Sequence, residues 1–166
     1  MMGMIDGIIQ ELEMERASTR EVLSRIPEDK WDWTPHAKSM PMGAMGSHIA
    51  ETFTWTKDIL GQDEFVLDME AYQPYVASSR AELLEMFDKN FDDALALMAG
   101  QSDEYLLKNW KMVVGGEVAM EAPRIGVLRS FMISHTIHHR GQLTVYLRLN
   151  DVPLPSIYGP SADEQG

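Results

Sequence analysis

The sequence contains no cysteine, and this absence removes several kinds of chemistry at once. Disulfide bonds, thiolate metal sites and a cysteine nucleophile are all excluded. A chain without disulfides is compatible with a reducing compartment, and we expect this protein to be cytoplasmic.

Basic residues are scarce as well, with 14 Lys and Arg against 26 Asp and Glu, which gives a net charge of −12. A strongly acidic surface repels phosphate backbones and anionic lipids, so we expect neither nucleic acid nor a membrane as partner. Long apolar runs are also missing, because no window approaches the ~18 apolar residues of a membrane span. The first residues lack a positive region and are interrupted by Asp6, so we expect no signal peptide.

The sequence does contain enough apolar residues to build one core. Its 166 residues, 45% of them hydrophobic, suit a single domain over residues 1–166. Apolar periodicity predicts four long helices at about 4–26, 39–60, 79–98 and 123–150. Gly115 and Gly116, between the last two, are typical of a hairpin turn. We therefore predict an all-α fold, a four-helix bundle with long connecting loops and one small hairpin before the last helix.

Three of the five histidines lie within residues 134–142. His135 and His139 are four residues apart, so on a helix they share one face and can bind one metal ion. His48 lies on the apolar face of the second predicted helix, from which it can supply a third ligand inside a bundle. The sequence therefore predicts a metal site at His48, His135 and His139.

His138 offers a competing pair with His135, three residues apart. It lies about 100° around the helix from His139, so the two cannot point the same way. The predicted centre of the apolar stripe favours His139, and it consists of Leu128, Met132, His135, His139 and Gln142.

Three neutral imidazoles leave coordination positions open, as in a reactive rather than a structural metal site. An open position can lower the pKa of a bound water or thiol. Zinc or nickel is the expected ion, although iron and copper also accept imidazole. Glu51, Ser134 and Gln142 are candidates for hydrogen bonds that orient the ligands. The alternative interpretation is that the histidines are structural residues with hydrogen-bonded partners.

Three stretches of the chain resemble a known family. They read WTPHAKS at 33–39, leading into GSHIAE at 46–51, then SHTIHHRGQL at 134–143, and PLPSIYGP at 153–160. Their order and spacing extend along nearly the whole chain, and the run His-x-x-x-His-Arg-Gly-Gln is the most specific part. In these residues the sequence resembles the DinB/YfiT-like superfamily.

The resemblance implies a four-helix bundle, frequently dimeric, with a divalent metal held by His48, His135 and His139. Some relatives are thiol-dependent S-transferases or isomerases that use low-molecular-weight thiols, and many others have no assigned activity. The family name refers to DNA-damage induction, which concerns expression. For this chain we accordingly expect a homodimer, a small-molecule substrate and no nucleic acid.

These observations lead to three functional hypotheses. The first is a metal-dependent hydrolase or thiol-dependent S-transferase that acts on a small electrophile. The second is a non-catalytic, metal-stabilised, stress-associated module that acts through its dimer, and the third is a helical interaction protein with structural histidines. For the enzyme, Arg16 and Arg140 are candidates to bind an anionic cofactor or substrate.

Overall fold

The computed structural model describes residues 3–164 and is mostly helical. The α-helices are α1 (Met4–Ser24), α2 (Met42–Glu51), α3 (Thr56–Gly61), α4 (Arg80–Met98), α5 (Asp103–Leu106), α6 (Arg124–Leu128) and α7 (His135–Leu149). A 3₁₀ segment, Thr52–Trp55, joins α2 to α3, and a π-helical segment, Arg129–Ser134, joins α6 to α7. The long helical stretches are thus confirmed, but two of them combine segments of different helical geometry.

Helix α4 illustrates how the sequence specifies its own element. Ser79 caps it, because the Ser79 hydroxyl accepts a hydrogen bond from the Glu82 backbone N–H at 3.2 Å. Gly100 follows the helix with a φ of +78°, which suits the left-handed position after a helix end. The buried face consists of Leu83, Phe87, Phe91, Ala94 and Met98. Helices α1 and α2 each pack against both α4 and α7, so the main core lies among these four.

Two glycines let α2 pack closely against its surroundings. A Cβ on Gly43 would lie 2.2 Å from the indole nitrogen of Trp31, and one on Gly46 would lie 2.9 Å from a methyl of Leu83. The Trp31 indole in turn donates a hydrogen bond to the Ala77 carbonyl at 2.9 Å. The connection after α1 and the segment before α4 are therefore both fixed against α2.

The all-α prediction needs one correction, because the described residues include a three-stranded sheet. Its strands are β1 (Glu64–Leu67), β2 (Asn109–Val114) and β3 (Glu117–Pro123), in the order β1-β2-β3. The predicted hairpin is confirmed, since β2 and β3 are antiparallel and Gly115 and Gly116 have φ of +59° and +84°. Strand β1 was missed because it is short and pairs in parallel with a distant part of the chain, Glu64 opposite Lys111.

The buried face of α7 also differs from the predicted stripe. Its buried residues are Thr136, Arg140, Leu143, Tyr146 and Leu147, whereas Gln142 is exposed and Leu149 is 60% exposed. Relative to the stripe through His135 and His139, the centre of the core face is therefore shifted by about one residue toward the C-terminus. Both histidines lie half-buried at its edge.

The burial of Arg140 accounts for this shift. Its guanidinium lies 2.6 Å from a carboxylate oxygen of Glu15 and donates hydrogen bonds to Ser18, Thr19 and Tyr158 at 2.8–2.9 Å. These partners make an inward-facing arginine favourable on the side of α7 that meets α1. The contact with Tyr158 also holds the non-helical C-terminal segment against α1.

Arg16, the other candidate for an anionic ligand, is likewise engaged within the chain. It donates a hydrogen bond to Asp92 at 2.7 Å, and its guanidinium carbon lies 4.8 Å from the centre of the Phe91 ring. Both arginines thus bind carboxylates of the protein itself.

No helix within residues 3–164 combines the length and the apolarity needed to cross a bilayer.

Candidate metal centre

Three histidines from two helices converge at one end of the core. His48 extends from α2, and His135 and His139 extend from the first turns of α7. Each ring offers one nitrogen, and the three nitrogens all lie within 4.8 Å of one another. The Nε2 atoms of His48 and His135 are 2.8 Å apart. The structure thus brings together the predicted trio in positions from which it can hold a metal ion.

Burial keeps these imidazoles neutral. It lowers the pKa of His135 to about 4, with further lowering by His139, His48 and His138. Burial is also the main cause that lowers the pKa of His48, followed by the charge of His139. The pKa of His139 is lowered by burial and partly restored by its hydrogen bond to Gln142. Neutral imidazole is the form that binds metal, so the site favours ligation over protonation near neutral pH.

Two neighbouring side chains lie close to Nδ1 atoms of the trio. Gln142 places its carbonyl oxygen 2.7 Å from Nδ1 of His139, so Nδ1 is the donor and Nε2 keeps its lone pair. A carboxylate oxygen of Glu51 lies 4.0 Å from Nδ1 of His48 and accepts a hydrogen bond from the Tyr72 hydroxyl at 3.0 Å. Gln142 is thus within hydrogen-bond distance of its histidine, whereas Glu51 is not, and the orienting roles of both stay predictions.

The remaining candidates do not join the cluster. Ser134 is exposed, and its hydroxyl accepts a hydrogen bond from Arg129 at 3.4 Å. His138 is exposed, and its ring lies beside the His139 ring with centroids 4.9 Å apart. His36 is an exposed loop residue.

The donor set fits a divalent metal. In a tetrahedral site with Zn–N bonds of about 2.0–2.1 Å, two ligand nitrogens are about 3.3 Å apart. The distances between nitrogens of the trio range from 2.8 Å, for His48 and His135, to at most 4.8 Å, and this range includes the tetrahedral value. Small side-chain rotations would equalise them. A bound ion would replace the contact between the two Nε2 atoms, because each nitrogen would direct its lone pair at the metal.

Aromatic and apolar groups surround the site. The Phe131 ring is stacked on His135, 6.0 Å between centroids and 6° between planes, and Trp55 is stacked on Phe131. On the other side, His48 faces a cavity of about 210 Å³. This His48 cavity is lined by His48 together with Met40, Ala44, Tyr72, Pro74, Tyr75 and Val76.

Two features of the site were missed at the sequence level. Tyr72 lies in a connection without periodicity, and no local pattern places its hydroxyl against Glu51, 21 residues earlier. The π-helical segment that immediately precedes His135 was also missed, although such segments often occur at functional sites. A signal for Tyr72 did exist, since aromatic residues in a polar loop seldom stay in water.

A substitution at Gln142 tests the orienting hydrogen bond. In Gln142→Ala, His139 loses the acceptor that fixes its tautomer and ring orientation. We expect the affinity for Zn²⁺ to fall about 10- to 100-fold. Competition against a chromophoric chelator measures the change.

Gln142→Glu is the matched variant, because it keeps an oxygen acceptor at the same position. It is expected to retain affinity within a few-fold of the parent. Equal affinity of the alanine variant and the parent would show that the Gln142 contact plays no part in ligation.

Comparison with known proteins gives a consistent result. A profile of the DinB family matches residues 1–165. The curated protein YrdA of Bacillus subtilis (strain 168), described as uncharacterized, is 21% identical over 160 residues, which are 96% of this chain and 91% of YrdA.

Two crystal structures resemble the fold. A DinB-like protein of Bacillus subtilis, YjoA, superimposes with a TM-score of 0.69 at 19% identity, covering 93% of this chain and 99% of YjoA. A DinB-like protein of Bacillus cereus ATCC 10987 has a TM-score of 0.72 at 18% identity, covering 92% of this chain and 97% of that protein. With the profile match over nearly its whole length, this chain belongs to the DinB family.

Proposed function

We propose that this protein binds a divalent metal ion through His48, His135 and His139 and catalyses the reaction of a thiol or water with a small electrophile. The observation that carries the proposal is the convergence of three imidazole nitrogens within 4.8 Å beside a cavity. A site of this kind leaves part of the ion's coordination shell for exogenous groups.

The residues of the chain have distinct tasks in this proposal. The trio would hold the ion, which supplies Lewis acidity that lowers the pKa of a thiol or water. Gln142 orients His139 through its hydrogen bond of 2.7 Å. Tyr72 keeps its proton at neutral pH, because burial and the Glu51 carboxylate raise its pKa to about 12.

The reaction itself would be a displacement. The sulfur of a low-molecular-weight thiol forms a bond to the electrophilic carbon, and the bond from that carbon to the leaving group breaks. The leaving group departs with the electron pair, and the thiol proton passes to solvent. In hydrolysis, water takes the place of the thiol.

Turnover measurements test the proposal. Protein purified without a nickel column is analysed for metals and then assayed with 1-chloro-2,4-dinitrobenzene and a set of low-molecular-weight thiols. We expect about one divalent ion per chain and a thiol-dependent rate that chelation abolishes and added Zn²⁺ or Ni²⁺ restores. A chain that stays metal-free in the presence of both ions would contradict the proposal.

A non-catalytic, stress-associated module is the second candidate, and one observation favours it. His48 and His135 are 87 residues apart in sequence, so an ion between them would cross-link α2 and α7. Such a link stabilises the folded state whether or not turnover occurs. Metal binding that raises the melting temperature, without turnover in any thiol and electrophile combination, would favour this candidate.

The architecture and assembly implied by the resemblance form part of the same proposal. We infer a four-helix bundle whose members are α1, the α2–α3 stretch, α4 and the α6–α7 stretch, supported by the packing of α1 and α2 against both α4 and α7. We also infer a cytoplasmic homodimer, for which light scattering of the purified protein is the direct test of assembly.

A further inference from the structure

The His48 cavity differs in character from the histidine trio beside it. Apart from His48, the lining residues come from two parts of the chain: Met40 and Ala44 around the start of α2, and Tyr72, Pro74, Tyr75 and Val76 from the connection before α4. Ala44 lies one helical turn before His48 on α2, so it forms the wall next to the ligand. The cavity thus opens beside the proposed reactive position but offers mostly apolar surface.

The two tyrosines present their rings rather than their hydroxyl groups. The Tyr72 hydroxyl donates a hydrogen bond to Glu51 at 3.0 Å, and the Tyr75 hydroxyl donates one to Glu82. Each hydroxyl is therefore engaged with a carboxylate of the protein. Because both ends are fixed, the rings are held as walls before any ligand arrives, which lowers the entropic cost of binding.

The size of the cavity limits what it can hold. Its volume is about 210 Å³, and apolar cavities of about 150 Å³ in proteins bind benzene. One substituted aromatic ring, or an aliphatic group of similar size, therefore fits.

The charges around the cavity select against anions. Glu51 and Glu82 lie directly behind the two tyrosines, and the chain carries a net charge of −12. The arginines considered for an anionic ligand, Arg16 and Arg140, bind Asp92 and Glu15 instead. In the metal-free protein, a carboxylate or phosphate in the cavity would lose hydration and gain no cationic side chain among the lining residues.

We propose that the His48 cavity receives an uncharged aromatic or aliphatic group of the molecule on which the site acts. This inference rests on the function proposed above and adds to it the chemical class of the electrophile. The substrate carries a neutral apolar part of about one ring, and this part seats against Ala44 and the tyrosine rings while the reacting atom lies near the histidines.

Binding to the metal-free protein tests the cavity separately from the metal. ¹⁵N-labelled protein treated with EDTA is titrated at pH 7 with benzyl alcohol and, in parallel, with benzoate. We expect benzyl alcohol to shift the amide signals of residues 40–48 and 72–76, and benzoate to bind at least about 10-fold more weakly. Comparable affinity for both probes, or shifts located elsewhere, would overturn the inference.

Ala44→Phe fills the cavity from its own wall and is expected to weaken benzyl alcohol binding at least about 10-fold. Ala44→Leu is the smaller alternative if the phenylalanine variant does not fold. Ala96→Phe is the matched control, since Ala96 lines a separate groove on α4, and it should bind the probe as the parent does. Undiminished binding by a folded Ala44 variant would overturn the inference.

Zn²⁺ affinity, measured on the same samples, separates this inference from the proposed function. Probe binding without metal binding would refute the proposed metal centre and leave the cavity as a binding site. Metal binding without probe binding would refute only the inference about the cavity.

Discussion

Replacing His139 with alanine is expected to lower the affinity for Zn²⁺ by more than 100-fold. His139 is one of three imidazoles that converge within 4.8 Å, and its loss leaves two protein ligands. Removing a group that merely orients a ligand typically costs 10- to 100-fold in affinity, so removing the ligand itself should cost more. Metal content after dialysis, and competition titration against a chelator, measure the effect.

His138→Ala is the matched control for this substitution. The two histidines are adjacent on α7, but His138 is exposed and is not one of the three residues whose nitrogens converge. We expect its replacement to leave metal affinity within a few-fold of the parent. The opposite pattern, with His138→Ala losing the metal and His139→Ala keeping it, would instead identify His135 and His138 as the binding pair.

The same pair of variants should differ in thermal stability when metal is present. An ion at about 1,000 times its Kd stabilises a folded protein by about 4 kcal/mol. For a domain of this size, that corresponds to a rise in Tm of about 8–16 °C. We expect the rise in His138→Ala and its loss in His139→Ala, with similar Tm values for the two metal-free proteins.

Periodicity predicted the helical framework because it reports local geometry. The apolar stripe of α4, with Phe87 and Phe91 in its buried face, follows directly from a repeat of 3.6 residues. The pair His135 and His139 could be found for the same reason, since four residues make about one turn. The sequence-based argument for His48 needed only that α2 and α7 face each other, and they are in contact.

The features that were not predicted depend on partners distant in sequence. Arg140 was considered only as a candidate for binding an anionic ligand, because its burial requires Glu15 on another helix. That burial moved the core face of α7 by one residue and left His135 and His139 at its edge. Strand β1 depends on a similar long-range contact, with β2 as its partner. A single-sequence pattern contains no record of either contact.

A second buried arginine leads to the largest expected effect on stability. Arg124, at the start of α6, has a fully buried side chain that donates hydrogen bonds to the carbonyls of Ile59, Gln62 and Asn109 at 3.0–3.1 Å. It also pairs with the carboxylate of Asp63. One guanidinium thereby connects the end of α3, the approach to β1, the start of β2 and the start of α6.

Arg124→Met is expected to lower the free energy of unfolding by about 3–5 kcal/mol, mainly through the loss of its hydrogen bonds to backbone carbonyls. Methionine fills much of the same space, so the main cost is not a cavity. The cost arises because several carbonyl acceptors lose their donor, at about 1–3 kcal/mol for each one left buried without a partner. Chemical denaturation of the metal-free protein gives the value without a contribution from ion binding, and the Tm should fall by about 6–20 °C.

Arg129→Met provides the comparison that separates burial from charge. Arg129 is five residues further along the same helical stretch, and it pairs with Glu11 through a side chain that is 54% exposed. An exposed ion pair contributes about 0–1 kcal/mol, so this variant should remain close to the parent. Similar losses in the two variants would mean that loss of positive charge from an acidic chain dominates. A loss confined to Arg124→Met would show that the buried hydrogen bonds hold the sheet to the helices.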